Sequence, residues 1–233
     1  MSPFAPAALW DLSSPPCEFA ELFQGVERAW EVLPRLGPWL ERRVRHELRG
    51  TVEPGAFIFP PVYLAEGALI EAGAYVRGPA WIGPGTVVRH GAYLRGVVLT
   101  GRDCILGHDT EVKQSIFLDK ASAGHFAYVG DSILGARVNL GAGTKLANFR
   151  VFPGNVRVEG PDGAPLETGL LKLGALLGDD VQLGCNAVTA PGTVVGRGTC
   201  VYALASLRGT IPPRSLVAWR PALEVRPLGE QHR

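Results

Sequence analysis

A six-residue aliphatic repeat constrains this chain more than any other feature. Leu64, Ile70, Val76, Ile82, Val88 and Leu94 recur at every sixth position, a spacing that fits neither an amphipathic helix nor a simple hairpin. Two positions before each, from Ile70 onward, stands a small residue (Ala68, Ala74, Ala80, Thr86, Ala92), with glycine and proline between, as in Gly83-Pro84-Gly85. One hexad then makes one short strand and one corner, and three hexads close a triangular coil with the aliphatic side chain pointing inward. Small residues suit the crowded corners and glycine the sharp turns. Stacked coils pair through parallel backbone hydrogen bonds and leave open edges only at the two ends. The fold class expected is all-β, a left-handed parallel β-helix of hexapeptide repeats with an N-terminal helical arm.

The period is read again around Leu99 and Ile105, at Leu134, Leu140 and Leu146, and at Leu177, Leu183, Val195 and Val201. Slips between these blocks mark irregular coils, where function is most easily grafted onto a repeat. The longest break is 150–174. Within it, Val156-Arg157-Val158-Glu159 and Ala164-Pro165-Leu166-Glu167 flank Gly160-Pro161-Asp162-Gly163, the pattern of a hairpin thrown out from the coil. Residues 1–50 are different material. Phe19, Leu22, Phe23, Val26, Trp30 and Leu33 follow a helical spacing that Pro34 should stop, and a second short helix is expected over 39–48. Two readings of this arm stay open: a cap on the first coil or on a neighbouring subunit, and a substrate lid. The expected division is an arm at 1–50, a β-helix at 51–220 with the hairpin inserted at 150–174, and a tail at 221–233.

With 46% hydrophobic residues in 233, the chain can bury a sizeable core as one main domain. Its 30 glycines and 19 prolines then read as dense turns, not disorder. Charged residues make up 19% and the net charge is +1, so no long-range field invites nucleic acid or an anionic membrane, and an anionic ligand must be met by local charge. No apolar run approaches the roughly 18 residues of a bilayer span. Cys17, Cys104, Cys185 and Cys200 show no CxxC spacing and the N-terminus lacks a leader pattern. A reduced, cytoplasmic protein without a metal, nucleic acid or membrane partner is expected.

Three stretches put polar groups where a pure repeat wants aliphatics: 110–113, 124–131 and 138–144. Lys113 and His125 are two hexads apart, which on a three-sided coil need not bring them together. Gly-Ala-Gly-Thr-Lys at 141–145 superficially suggests a phosphate loop, but it lies inside the hexad pattern and opens no helix. The stretch GHFAYVGDSILGARVNLGAGTKLANFR, 124–150, resembles the joined GHxxYxGD and VNxGAGT signatures of the acetyltransferase half of the bifunctional enzymes that make UDP-N-acetylglucosamine. The stretch 167–174, followed by Leu177-Gly178-Asp179-Asp180, is similar to the archaeal sugar-1-phosphate nucleotidylyltransferase/acetyltransferases that carry the same β-helix. The resemblance spans about 92–220.

The resemblance implies a cytoplasmic homotrimeric N-acetyltransferase that uses acetyl-CoA as co-substrate on an amino-sugar phosphate. Residue by residue, it puts His125 on the catalytic base, Glu111 on a carboxylate beside it, and Asn148 on a group orienting the amine near an oxyanion donor. Arg95, Lys113 and Lys172 fall on cations that hold the sugar phosphate, while Tyr128 and Asn139 fall on sugar contacts. Ala142, Cys185, Ala203 and Arg220 fall on the acetyl-CoA groove. The chemistry suits these types. A protonated amine cannot attack a thioester, and an imidazole with a reference pKa near 6.5 can take its proton at neutral pH. A carboxylate can hold that imidazole's tautomer, and arginine and lysine serve phosphate. Other readings stay open: the three cations as solvated surface, Asn139 as an internal ladder residue, an acceptor that is a nucleotide-linked amino sugar, or a non-catalytic trimeric sugar-phosphate-binding module. The sequence departs from the family in three ways. No nucleotidylyltransferase domain is expected before the β-helix, Phe149 replaces a tyrosine, and Cys185 replaces a serine.

Overall fold

In the computed structural model, which describes residues 2–13 and 19–220, the hexads build a three-sided parallel β-solenoid. Cys17 and the tail at 221–233 lie outside the described residues. Faces 1 and 2 have nine strands each and face 3 has eight, and the chain visits them in the fixed order 1, 2, 3. Every strand pair between coils is parallel, from Glu47–Leu48 against Val62–Leu64 on face 1 to Cys200–Val201 against Leu216–Val217 on face 2. This is the expected hexapeptide β-helix. Leu64, Ile70, Val76, Ile82, Val88 and Leu94 are completely buried inside the prism, with Ala68, Ala74, Ala80, Thr86 and Ala92 beside them. Such burial contributes roughly 1.5–3 kcal/mol for each large aliphatic side chain.

One register differs from the reading at Leu99 and Ile105. The inward positions there are Thr100 and Leu106, each fully buried, so the six-residue step from Leu94 continues without a slip. Thr100 is tolerated inside because its Oγ1 accepts the Gly83 N–H at 2.9 Å. The first five-residue step comes later, between Val112 and Phe117, at the corner from face 3 to face 1. Leu99 instead points outward in a column of paired residues on face 1: Tyr63, Trp81, Leu99, Ile116, Ile133, Leu176 and Val194.

The arm covers that column. Phe4, Leu9, Trp10, Phe23, Trp30, Leu36 and Leu40 share one buried cluster with Leu99, Ile116, Ile133, Leu176 and Val194. Trp10 Nε1–H donates to the Leu177 carbonyl at 2.8 Å, and Asp179 bonds the Asp11 N–H through Oδ2 and the Ala136 N–H through Oδ1. The arm therefore packs along face 1 of its own prism, and not over the open end of the first coil. Its helices also differ from the expectation. Pro34 begins the α-helix Leu33–Arg43 instead of stopping one, because proline's fixed φ and missing N–H cost nothing in a first turn. Before it the described residues form a one-turn α-helix, Pro6–Leu9, and, where the helical spacing was read, two 3₁₀ turns, Ala20–Phe23 and Ala29–Val32. The hairpin exists as expected, Arg157–Glu159 antiparallel to Pro165–Glu167, but it folds back beside the arm, with Val156 and Val158 buried in the same cluster.

Candidate functional site

The corner between faces 2 and 3 is a line of residues with positive φ: Gly91, Asp109, Phe126, Gly143, Asn186 and Leu204. At Gly91 (φ 74°) a Cβ would collide with the Asp109 carboxylate, so glycine is needed there. Phe126 adopts φ 52° without that freedom, a conformation that costs roughly 1–2 kcal/mol for an ordinary residue. Backbone bonds stack the residues just before these corners. Gly143 N–H donates to His125 O at 3.0 Å, Asn186 N–H to Ala142 O at 2.8 Å, and Leu204 N–H to Cys185 O at 2.9 Å. His125, Ala142, Cys185 and Ala203 thus occupy successive coils of one edge, all reaching the surface. Arg220, exposed, follows the last face 2 strand at the end of the same edge. Four side chains read separately from the sequence fall on one line because a solenoid converts equal phase into vertical stacking.

His125 closes the strand Ser122–His125 and pairs in register with His108. Its ring makes no hydrogen bond among the described residues. The carboxylate expected beside it is held elsewhere: Glu111 Oε1 lies 2.6 Å from Arg95 Nη1, a bond that raises the arginine above its usual range. The carboxylate that does reach a neighbouring imidazole is Asp109, 3.3 Å from His108 Nε2. The His108 ring stands edge-on to Phe126 and stacks on His90.

Face 3 carries the other polar groups. Glu111 pairs across strands with Tyr128, and Lys113 with Gly130. Lys113 Nζ is 3.0 Å from Asp131 Oδ2, which also accepts from Asn148 Nδ2 at 2.5 Å. A Cβ at Gly130 would lie 2.6 Å from Asn148 Nδ2 and 2.7 Å from Tyr128 Oη, so a larger residue there would displace both side-chain ends. Lys172 is exposed and its backbone bridges to Phe149, next to Asn148. Of the three expected phosphate cations, then, Arg95 and Lys113 already face carboxylates, and Lys172 alone makes no ion pair among the described residues.

Asn139 stands apart. It points outward and exposed from face 2, paired with Ser122 and Gln182, so it is not an internal ladder residue. Asp131, buried at the corner leaving face 3, was not singled out from the sequence, although it is the last residue of the GHxxYxGD-like stretch. Cys104 is buried under the corner from face 1 to face 2, where desolvation pushes its thiol up to about 12, far from reactivity. An open cleft of about 620 Å³ lined by Glu21, Trp39, Arg42 and Arg43 belongs to the arm and not to this edge. No helix of the described residues is long and apolar enough to cross a membrane.

Residues 76–161 match the model of the GMPPB C-terminal domain. The chain is 44% identical over 192 residues to a bifunctional protein GlmU of Methanococcus maripaludis, covering 82% of this chain and 46% of that protein. It is 37% identical over 97 residues to a bifunctional sugar-1-phosphate nucleotidylyltransferase/acetyltransferase of Sulfurisphaera tokodaii, covering 42% of this chain and 24% of the relative. Among solved structures, a UDP-N-acetylglucosamine acyltransferase from Campylobacter jejuni aligns over 71% of this chain and 70% of its own, at 18% identity and a TM-score of 0.44. The chain spans about half the length, or less, of these curated relatives. The chain is thus similar in sequence, over its solenoid, to part of the bifunctional sugar-1-phosphate nucleotidylyltransferase/acetyltransferases, and its own fold is a hexad β-solenoid.

Proposed function

We propose that the chain is a cytoplasmic, acetyl-CoA-dependent N-acetyltransferase acting as a homotrimer on an amino-sugar phosphate of the glucosamine-1-phosphate kind. The observation that carries this reading is the edge on which His125, Ala142, Cys185 and Ala203 stack on successive coils. Small residues leave room for a linear pantetheine laid along the prism, and the line ends at an exposed imidazole. That imidazole takes the proton of the attacking amine. Lys172, Tyr128 and the Arg95–Glu111 pair supply polar contacts for the sugar phosphate on the adjoining face.

Support for an oligomer comes from how the groups are divided. His125 stands at the corner entering face 3, whereas Lys113, Asp131 and Asn148 gather at the corner leaving it. Between them runs the strand Tyr128–Gly130, about 10 Å long at 3.3 Å per residue. A second copy brings one subunit's edge to another's face. The arm leaves only faces 2 and 3 for this contact, and Phe57, Tyr93, Phe126 and Trp219 are exposed on or beside them, a surface of the kind partners cover.

A second reading, a non-catalytic sugar-phosphate-binding module, is favoured by one observation, that Glu111 is tied to Arg95 and not to His125. Thiol release from acetyl-CoA in the presence of hexosamine phosphates separates the two. His125→Ala should lower kcat by roughly 10²–10⁴-fold, the range of general-base catalysis, with acetyl-CoA affinity little changed. If the parent releases no thiol with any hexosamine phosphate, the binding module becomes the better account.

A further inference from the structure

Asp131 is the one buried carboxylate on face 3 among the described residues, and two residues assigned to the candidate site converge on a single oxygen of it. Oδ2 lies 3.0 Å from Lys113 Nζ and 2.5 Å from Asn148 Nδ2, and the residue is only 7% exposed. Its backbone is fixed as well: its N–H donates to Lys113 O and its carbonyl accepts the Gly174 N–H. A carboxylate can only accept, so it must meet the amide of Asn148 through the NH₂ group and cannot meet it through the carbonyl oxygen. Asn148 Oδ1 is thereby turned away. It receives no hydrogen bond from the described residues and is not among the sealed, unpartnered polar atoms, so it reaches solvent.

We propose that Asp131 is a positioning residue of the acyl-transfer site, clamping Lys113 and Asn148 so that Asn148 offers its carbonyl oxygen to the N–H of the acceptor's amine. The clamp rests on the acyltransferase reading for its purpose but not for its geometry. It also explains why Lys113 can lie close to an amine-bearing acceptor. Its charge is already balanced by Asp131, so it does not repel an ammonium as a lone lysine would. An amide in place of the Asp131 carboxylate would leave the amide of Asn148 free to flip, because it can both donate and accept.

The test is a double-mutant cycle. Asp131→Asn keeps the size of the side chain and tolerates the positive φ of 48° at this corner. In the parent it should lower kcat for hexosamine phosphate about 10- to 100-fold, the worth of one charge-assisted hydrogen bond, with the KM for acetyl-CoA unchanged within about twofold. In an Asn148→Ala background it should cost distinctly less, the remainder being the Lys113 half of the clamp. Equal losses in both backgrounds would overturn the clamp, reducing Asp131 to a structural corner. A readout independent of turnover is the side-chain NH₂ signal of Asn148 in ¹⁵N spectra, identified by its loss in Asn148→Ala. It should shift on Asp131→Asn, and an unshifted signal would overturn the clamp even if activity falls. If the signal shifts but the parent transfers no acetyl group to any acceptor, the acyltransferase reading fails and with it the catalytic purpose of the clamp.

Discussion

Faces 1 and 3 of this prism are made from the same hexads and end in opposite states. The outward column of face 1 begins with the half-buried aromatics Tyr63 and Trp81 and continues as Leu99, Ile116, Ile133, Leu176 and Val194, all buried under the arm. The corresponding column of face 3 runs Tyr75, Tyr93, Glu111, Tyr128, Lys145, Val188 and Ser206, and much of it is open. A repeat fixes only its inward position, so its two outward positions are free to specify what each flank meets. Where they are aliphatic, strands buried on both sides read as continuous apolar runs. Where they are polar, a site can be placed.

The comparison predicts that stability resides on face 1. Trp10 is fully buried and bonded to Leu177 O. Trp10→Ala should cost about 3–5 kcal/mol in urea unfolding, the range for emptying an aromatic site. Tyr93→Ala, at a residue 40% exposed on face 3, should cost under about 1 kcal/mol. Equal losses would erase the distinction between the faces.

A smaller effect sharpens it. Asp179, where the arm is pinned, is buried, and desolvation raises its carboxyl above the ordinary value of 3.8. Its ionisation therefore opposes folding: the stability it offers is fully present below 3.8 and is lost as pH rises through the raised folded value. Its neighbour Asp180 shifts the other way through its hydrogen bonds to Arg137, so its stabilisation is present above 3.8 and lost as pH falls. Asp179→Asn should remove the first dependence and leave the second. Urea midpoints measured across mildly acidic pH, with tryptophan fluorescence reporting on the arm, should show the variant's stability falling more steeply on acidification than the parent's. Parallel curves would contradict this account of Asp179.

Most of the prism was legible in the sequence because hexads such as Leu64 to Leu94 leave one inward choice. The register at 99–106 was not, since the buried threonine at 100 looked like an interruption and Leu99 looked like core. Leu99 is indeed buried, but against the arm. The seal itself had a signal, the paired apolar residues Leu99, Ile116, Ile133, Leu176 and Val194 beside inward positions, which reading every sixth residue passes over. Pro34 was ambiguous because proline both ends and begins helices. In the candidate site, residue types were suggested by resemblance, and their alignment on one edge emerged only with the register. The pairing of Glu111 with Arg95, and of Asp131 with Lys113 and Asn148, joins residues 16 to 18 positions apart. No local pattern encodes such a contact.

The central claim is that the edge from Arg220 to His125 carries acetyl-CoA to its base. A structure of the full chain with acetyl-CoA bound tests it most directly. The account predicts the pantetheine running past Ala203, Cys185 and Ala142, with the thioester leaving room for an amine within about 3 Å of a His125 ring nitrogen. A cofactor lodged in the Trp39 cleft of the arm, or one on the edge with its thioester more than one coil from His125, would contradict it.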